Sequence, residues 1–307
     1  MSISEIHALL ALMDDPDETV YEHVRERLLS KGKDVLPYVE TVASSDGNDD
    51  LIKGRLALLK QGLQQTDVKE ALRTWMDEGG MDLWKGVQLV HAAADGAWNH
   101  AESNDRFEAL KKEVWLELNE EQTALEQVRI LNHVFFSLHE MESVRRLPHV
   151  PLEALPSGVL MEKKGNPIGL GVLYLAVAQS LGLPLRGVNL PNHFILSYCD
   201  VTHVNDPSSS KGQSGILFYI NPYSQGSVIG VDDVSEFLVE VTEGESVQQW
   251  RPSHPIEIIQ RLVRNVAFAI RESSGEEHSA QFLMLFQPLL SAFENTEKRP
   301  DDYPPIR

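Results

Sequence analysis

Apolar residues recur at helical spacing through the first half of the chain. Ile6, Leu9, Leu10, Leu12 and Met13 share one face, Asp14-Asp15-Pro16-Asp17 interrupts them, and Val20, Val24, Leu28 and Leu29 resume the pattern until Gly32. Val35-Leu36-Pro37-Tyr38-Val39 opens a third helical piece, and residues 51–63 read as a separate fourth. Further stripes follow at Ala71, Leu72, Trp75 and Met76, then at Leu83, Trp84, Val87, Leu89 and Val90. The strongest runs through Leu125, Val128, Leu131, Val134, Phe135 and Leu138. Trp75, Trp84, Trp98 and Trp115 are expected to be core ridges. Pro148, Pro151 and Pro156 predict an extended connector.

The pattern then changes. Residues 170–181 are apolar nearly all round, which predicts a helix buried on every side. Asn166 is a favoured N-cap, Pro167 suits the first helical position, and Gly182 followed by Pro184 stops the helix. From residue 185 the period drops to two. Phe194, Leu196 and Tyr198 alternate with His193, Ile195, Ser197 and Cys199; Ile216-Leu217-Phe218-Tyr219-Ile220 and Ser227-Val228-Ile229-Gly230-Val231 predict two more strands. The polar stretch between residues 200 and 215 predicts a loose hairpin tip. Helices return at 234–241 and 256–293. The fold class is therefore α+β: a helical region, then a helix-plus-antiparallel-sheet module, then C-terminal helices.

Composition narrows the function. The 307 residues carry 27 basic and 46 acidic side chains, a formal charge of −19, and no Lys/Arg run, so nucleic acid and an anionic membrane are not expected partners. No apolar run approaches the roughly 20 residues of a membrane span, and the N-terminus lacks a basic, then apolar, leader, so a cytoplasmic location is expected. Cys199 is the single cysteine; no intrachain disulfide can form and no cysteine-based zinc site can close. His133 and His139 lack ligand spacing, and Gly165, Gly169 and Gly171 lack the context of a phosphate loop, so no metal or cofactor is expected.

Two resemblances attach to particular residues. The run LLALMDDPDETVYEHVRERLLSKGKDVLPYVE resembles one HEAT-type repeat. The run EKKGNPIGLGVLYLAVAQSLGLPLRGVNLPNHFILSY, with ALEQVRILNHVFF before it and FYINPY after it, resembles the SirB-type branch of the transglutaminase-like superfamily. That resemblance implies a papain-like module in which active relatives carry a cysteine at the start of the buried helix, a histidine opening the next strand, and an aspartate on the strand after. Counted back from Gly182, the cysteine's place falls at Pro167; His193 matches the histidine and Asn221 takes the aspartate's place. Cys199 is no substitute, because six strand residues separate it from His193 by about 20 Å. The expected domains are 1–104 (HEAT-like), 105–250 (transglutaminase-like core) and 251–293 (helical extension), with 294–307 a disordered tail.

The favoured expectation is a non-catalytic protein that recognises a peptide or protein segment in the groove inherited from the thiol enzymes, through Asn166, Asn192, His193, Asn221 and Tyr223. Two alternatives stand beside it. His193 could activate water to hydrolyse an amide or ester, or residues 1–141 could act as a helical adaptor.

Overall fold

A computed structural model describes residues 3–44, 49–95, 100–144, 151–190, 193–200, 215–234 and 252–292. The expectations made for Asn192, Trp98, Pro148, the 201–214 tip, most of the 234–241 helix and the 294–307 tail fall outside the described residues. The rest is α+β as expected.

Helix α1 (Ile3–Ala11) packs on α2 (Glu18–Leu29) and α3 (Leu36–Ala43), which in turn pack on α4 (Asp50–Asp77). Asp17 caps α2 by accepting the Thr19 N–H at 2.8 Å. Buried Arg55 ties this corner together. Its guanidinium donates to the carbonyls of Met13 and Asp15 at 3.0 and 2.7 Å and to Glu18 at 2.9 Å, and lies over the Tyr21 ring. A lysine could not serve all of these partners at once, because the planar fork is what spans them.

The expected break after residue 63 is absent: α4 is one helix of 28 residues. Gln64-Gln65-Thr66-Asp67 contains no Gly or Pro to end it, and Thr66 turns its hydroxyl back to the Gly62 carbonyl at 2.9 Å. Two apolar cores meet along this helix. Leu56, Leu59 and Leu63 belong to the N-terminal cluster, whereas Val68, Leu72 and Trp75 belong to the main one. Trp75 donates to the Asp82 carbonyl at 2.8 Å, which folds α5 (Leu83–Ala94) back along α4.

Next come α6 (His100–Glu117) and α7 (Ala124–Asn132), the latter opened by a capping box of Thr123 and Glu126. The helix then widens into a π-turn over His133–Leu138. The proline-marked connector is not extended where it is described. Pro151–Ala154 and Pro156–Glu162 form short helices α8 and α9, each with proline at its first position, where the missing N–H costs nothing. Trp75 and Trp84 are buried as expected, but Trp115 is 59% exposed.

Two residues of β1 (Glu142–Ser143) pair in parallel with β2 (Lys164–Gly165), immediately before α10 (Pro167–Ser180). The residues from Ile168 to Ala178 are all buried. A four-stranded antiparallel sheet follows: β3 (Leu185–Leu190), β4 (His193–Cys199), β5 (Ile216–Asn221) and β6 (Ser227–Ile229), in that order. Phe194, Leu196, Tyr198, Phe218 and Ile220 belong to the core that holds α10, whereas Ile195 and Tyr219 join Val188, Leu190 and Val234 in a separate cluster. Helix α11 (Pro255–Ser274) closes the other side of α5 and α10, with α12 (Glu276–Leu285) and α13 (Gln287–Leu290) behind it. No helix among the described residues is long and apolar enough to cross a membrane.

One buried polar contact makes the fold pH-sensitive. His91 on α5 meets the Ser157 hydroxyl on α9, both inside the core. Burial first, and the nearby His100 second, hold the His91 pKa down to about 3, against an ordinary 6.5. The unfolded chain therefore takes up this proton before the folded one does. The stabilisation is complete above about pH 6.5 and is lost as pH falls towards 3, at up to ~1.4 kcal/mol per pH unit. Urea unfolding of wild type and His91→Gln at about pH 7 and about pH 5 should show a steeper decline for the wild type; parallel declines would remove His91 as the cause.

Candidate functional site

The start of α10 is built from its own sequence. Asn166 sits in extended conformation, and its side-chain oxygen accepts the Gly169 N–H at 2.8 Å, while its carbonyl accepts the Leu170 N–H at 3.1 Å. Pro167 occupies the first helical position with no N–H to satisfy. It also carries no heteroatom on its side chain, so this helix start has no nucleophile.

One turn on, Gly171 determines what lies against the helix. A Cβ built there would stand 2.6 Å from the Phe194 ring and 3.7 Å from Pro222. The aromatic ring and the proline thus lie directly over the helix turn that follows Pro167. On β4 the residue that meets the helix is Phe194, not His193. Strand alternation gives His193 the same face as Ile195, whose cluster lies away from α10.

Asn221 ends β5. The pairing of Leu196 with Ile220 carries forward to set Asn221 level with Ile195, making it a diagonal neighbour of His193 at about 7–8 Å. Its amide serves its own turn: Oδ1 accepts the Tyr223 N–H at 3.1 Å and Nδ2 donates to the Ser224 hydroxyl at 3.4 Å. The structure thus groups Asn166 with Pro167 at the helix start, and Asn221 with half-buried Tyr223 in the turn after β5. Cys199 is buried, and burial pushes its thiol pKa up, so it stays protonated.

Sequence reasoning missed a second set of polar residues around the same turn. Tyr174, one turn beyond Gly171, donates to Asn132 Oδ1 at 2.9 Å, and Asn132 Nδ2 donates to the Gly226 carbonyl at 2.8 Å. Burial raises the Tyr174 pKa well above its usual value, which keeps it a donor. Gly226 has φ +70°, and a side chain there would collide with Asn132. Arg261 on α11 donates to the Leu190 carbonyl at 2.9 Å and holds the end of β3 across from His193. Burial lowers its pKa to about 10, which still leaves it charged at neutral pH. The one available signal for Asn132 was a polar residue interrupting the strongest helical stripe, between Leu131 and Val134. Among the described residues, no three His, Cys, Asp or Glu side chains gather as a metal-holding group.

The comparisons agree with this architecture. A family model described as the transglutaminase-like superfamily matches residues 101–264, more than half the chain. The chain belongs to the transglutaminase-like superfamily. Human F-box only protein 21 is 27% identical over 158 residues, covering 50% of this chain and 23% of that protein. A UPF0162 protein of Vibrio cholerae is 26% identical over 167 residues, covering 53% of this chain and 56% of its own. One from Pseudomonas aeruginosa is 29% identical over 136 residues, with coverages of 43% and 44%. The match thus spans under a quarter of the F-box protein and about half of the two bacterial relatives. No solved structure matches the chain.

Within this transglutaminase-like module, the contact between Gly171 and Phe194 can be tested. Gly171→Val should destabilise the protein by about 1–3 kcal/mol, because a well-packed ring must move aside. Adding Phe194→Leu should recover part of that loss. Strictly additive penalties in urea unfolding would show that the two positions are not in contact.

Proposed function

We propose that this protein is a non-catalytic member of the transglutaminase-like superfamily, of the SirB-type branch, that recognises an extended peptide or protein segment. The observation that carries the reading is Pro167: where active relatives place a cysteine, the helix start offers only a saturated ring. Its surroundings point the same way, since Phe194 and Pro222 lie over the next turn of the helix. A cleft for acyl transfer needs its nucleophile and base within hydrogen-bond reach, whereas a recognition surface needs neither.

The support for an extended segment comes from the sheet. Among the described residues β6 is the last strand of the sheet, and Val228 on it is 43% exposed. A segment adding to such an edge gains main-chain hydrogen bonds, with Asn221 and Tyr223 at the end of the neighbouring strand to read side chains. In this reading the protein is cytoplasmic, and the HEAT-like helices of the N-terminal core supply a second contact surface.

Two measurements test the reading. On a panel of p-nitrophenyl esters and peptide anilides, wild type and His193→Ala should turn over substrate at the same background rate. A clear drop in His193→Ala would replace recognition with water activation by that imidazole. Selection from a displayed random-peptide library should yield extended binders whose affinity falls about tenfold or more with Tyr223→Ala. A library that yields no binder to the full chain would overturn peptide recognition.

A further inference from the structure

Away from α10, three side chains from three separate elements form a continuous hydrogen-bonded line. Glu113 near the end of α6 meets His139 Nε2 through its Oε2 at 2.6 Å, and His139 Nδ1 meets Lys163 Nζ at 2.7 Å. The carboxylate fixes one ring nitrogen as a donor, so the other presents its lone pair to the ammonium. This is the order of groups in an acid–histidine–nucleophile relay, with an amine in the terminal place.

The backbone around the line is held in uncommon conformations. His139 follows the π-turn, and its N–H reaches back five residues to the Val134 carbonyl at 3.0 Å. Glu140 and Lys163 are two of the three non-glycine residues with positive φ among the described residues, at 51° and 60°. Such conformations cost free energy and cluster at functional sites. Lys163 is pinned on both sides: its N–H donates to Val159 at 2.9 Å and its carbonyl accepts the Glu142 N–H at 2.8 Å. The neighbouring Lys164 has no positive φ, is exposed and faces Glu142 at 3.4 Å.

We propose that Lys163 is a reactive amine, activated by His139 and Glu113, that accepts an acyl group from a small acyl thioester. His139 Nδ1 first takes a proton from the Lys163 ammonium. The freed amine then attacks the thioester carbonyl, a C–N bond forms, and the C–S bond breaks. Of the two protons lost by nitrogen, one leaves on the thiol and the other passes through His139 to solvent. Burial, and secondarily Arg106, lower the Lys163 pKa, while Glu113 opposes them, so more free amine is available than at an ordinary lysine. The chain's charge of −19 favours a neutral or cationic thioester over an anionic one.

The experiment uses the full chain and the acetyl thioester of N-acetylcysteamine at about pH 7.5. Acetylation at each lysine is followed by mass spectrometry after cleavage at glutamate. Lys163 should be acetylated about tenfold or more faster than Lys164, which serves as an internal control. Glu113→Gln and His139→Gln should each bring Lys163 down to the rate of Lys164 while leaving Lys164 unchanged. Glu113 is half-exposed, so that variant keeps its fold, as an unchanged melting temperature should show. Equal rates at Lys163 and Lys164 in the wild type, or a ratio that neither variant alters, would overturn the proposal and leave an ion cluster that merely joins α6 to α9.

Discussion

The whole module depends on burying one helix that has no polar side. Residues 168–178 lie entirely inside the protein, so α10 has to be covered from every direction at once, and each covering element takes its position from it. Helices α5, α6 and α9, strands β3 and β4, and α11 all touch it. Helix propensity contributes little here. Glycines at 169 and 171 weaken the isolated helix yet allow the Ala154 carbonyl and the Phe194 ring to come close. The sequence gives up local stability for proximity, and tertiary burial more than offsets that loss.

A helix of this kind can meet polar groups only at its ends or through chosen interruptions. Asn166 satisfies the first turn, and Tyr174 is the single hydroxyl in the buried stretch, matched to Asn132 at 2.9 Å. Left unpaired, that hydroxyl would be costly inside the core. The same asparagine supports the turn after β5, so the face of α10 that carries Gly171 and Tyr174 is sealed by Phe194, Pro222 and the amide of Asn132. The contacts beside Gly171 are packing contacts.

Much of this was legible in the sequence because it is encoded locally. The cap at Asn166, the stop at Gly182 and the switch from helical to alternating spacing at Leu185 are short-range signals, and each matches an observed boundary. The continuity of α4 is hidden by the polar residues 64–67, which interrupt the apolar stripe although nothing in them opposes a helix. The prolines at 151 and 156 predict an extended connector, because a sequence does not show whether a proline breaks a chain direction or opens a helix, and here each stands at a helix N-terminus. Trp115 is 59% exposed, and no single-chain pattern reveals whether an aromatic side chain is covered. The Asn132–Tyr174–Gly226 contacts join residues up to 94 positions apart, beyond the reach of any spacing rule.

The π-turn links these two regions. Asn132 ends α7 and must face α10, whereas His139 must face α6 and the end of α9. In an unbroken α-helix, seven residues bring two side chains back to within about 20° of the same face. A single α-helix would therefore direct both residues towards α10. The wider turn from His133 to Leu138 removes that constraint, since it spreads more residues over each rotation. Phe135 and Phe136 still pack on Tyr174 inside the turn, so the core is preserved while the exit of the helix is re-aimed. Restoring regular α-helix here would cost His139 its place between Glu113 and Lys163 before it disturbed anything around Asn132.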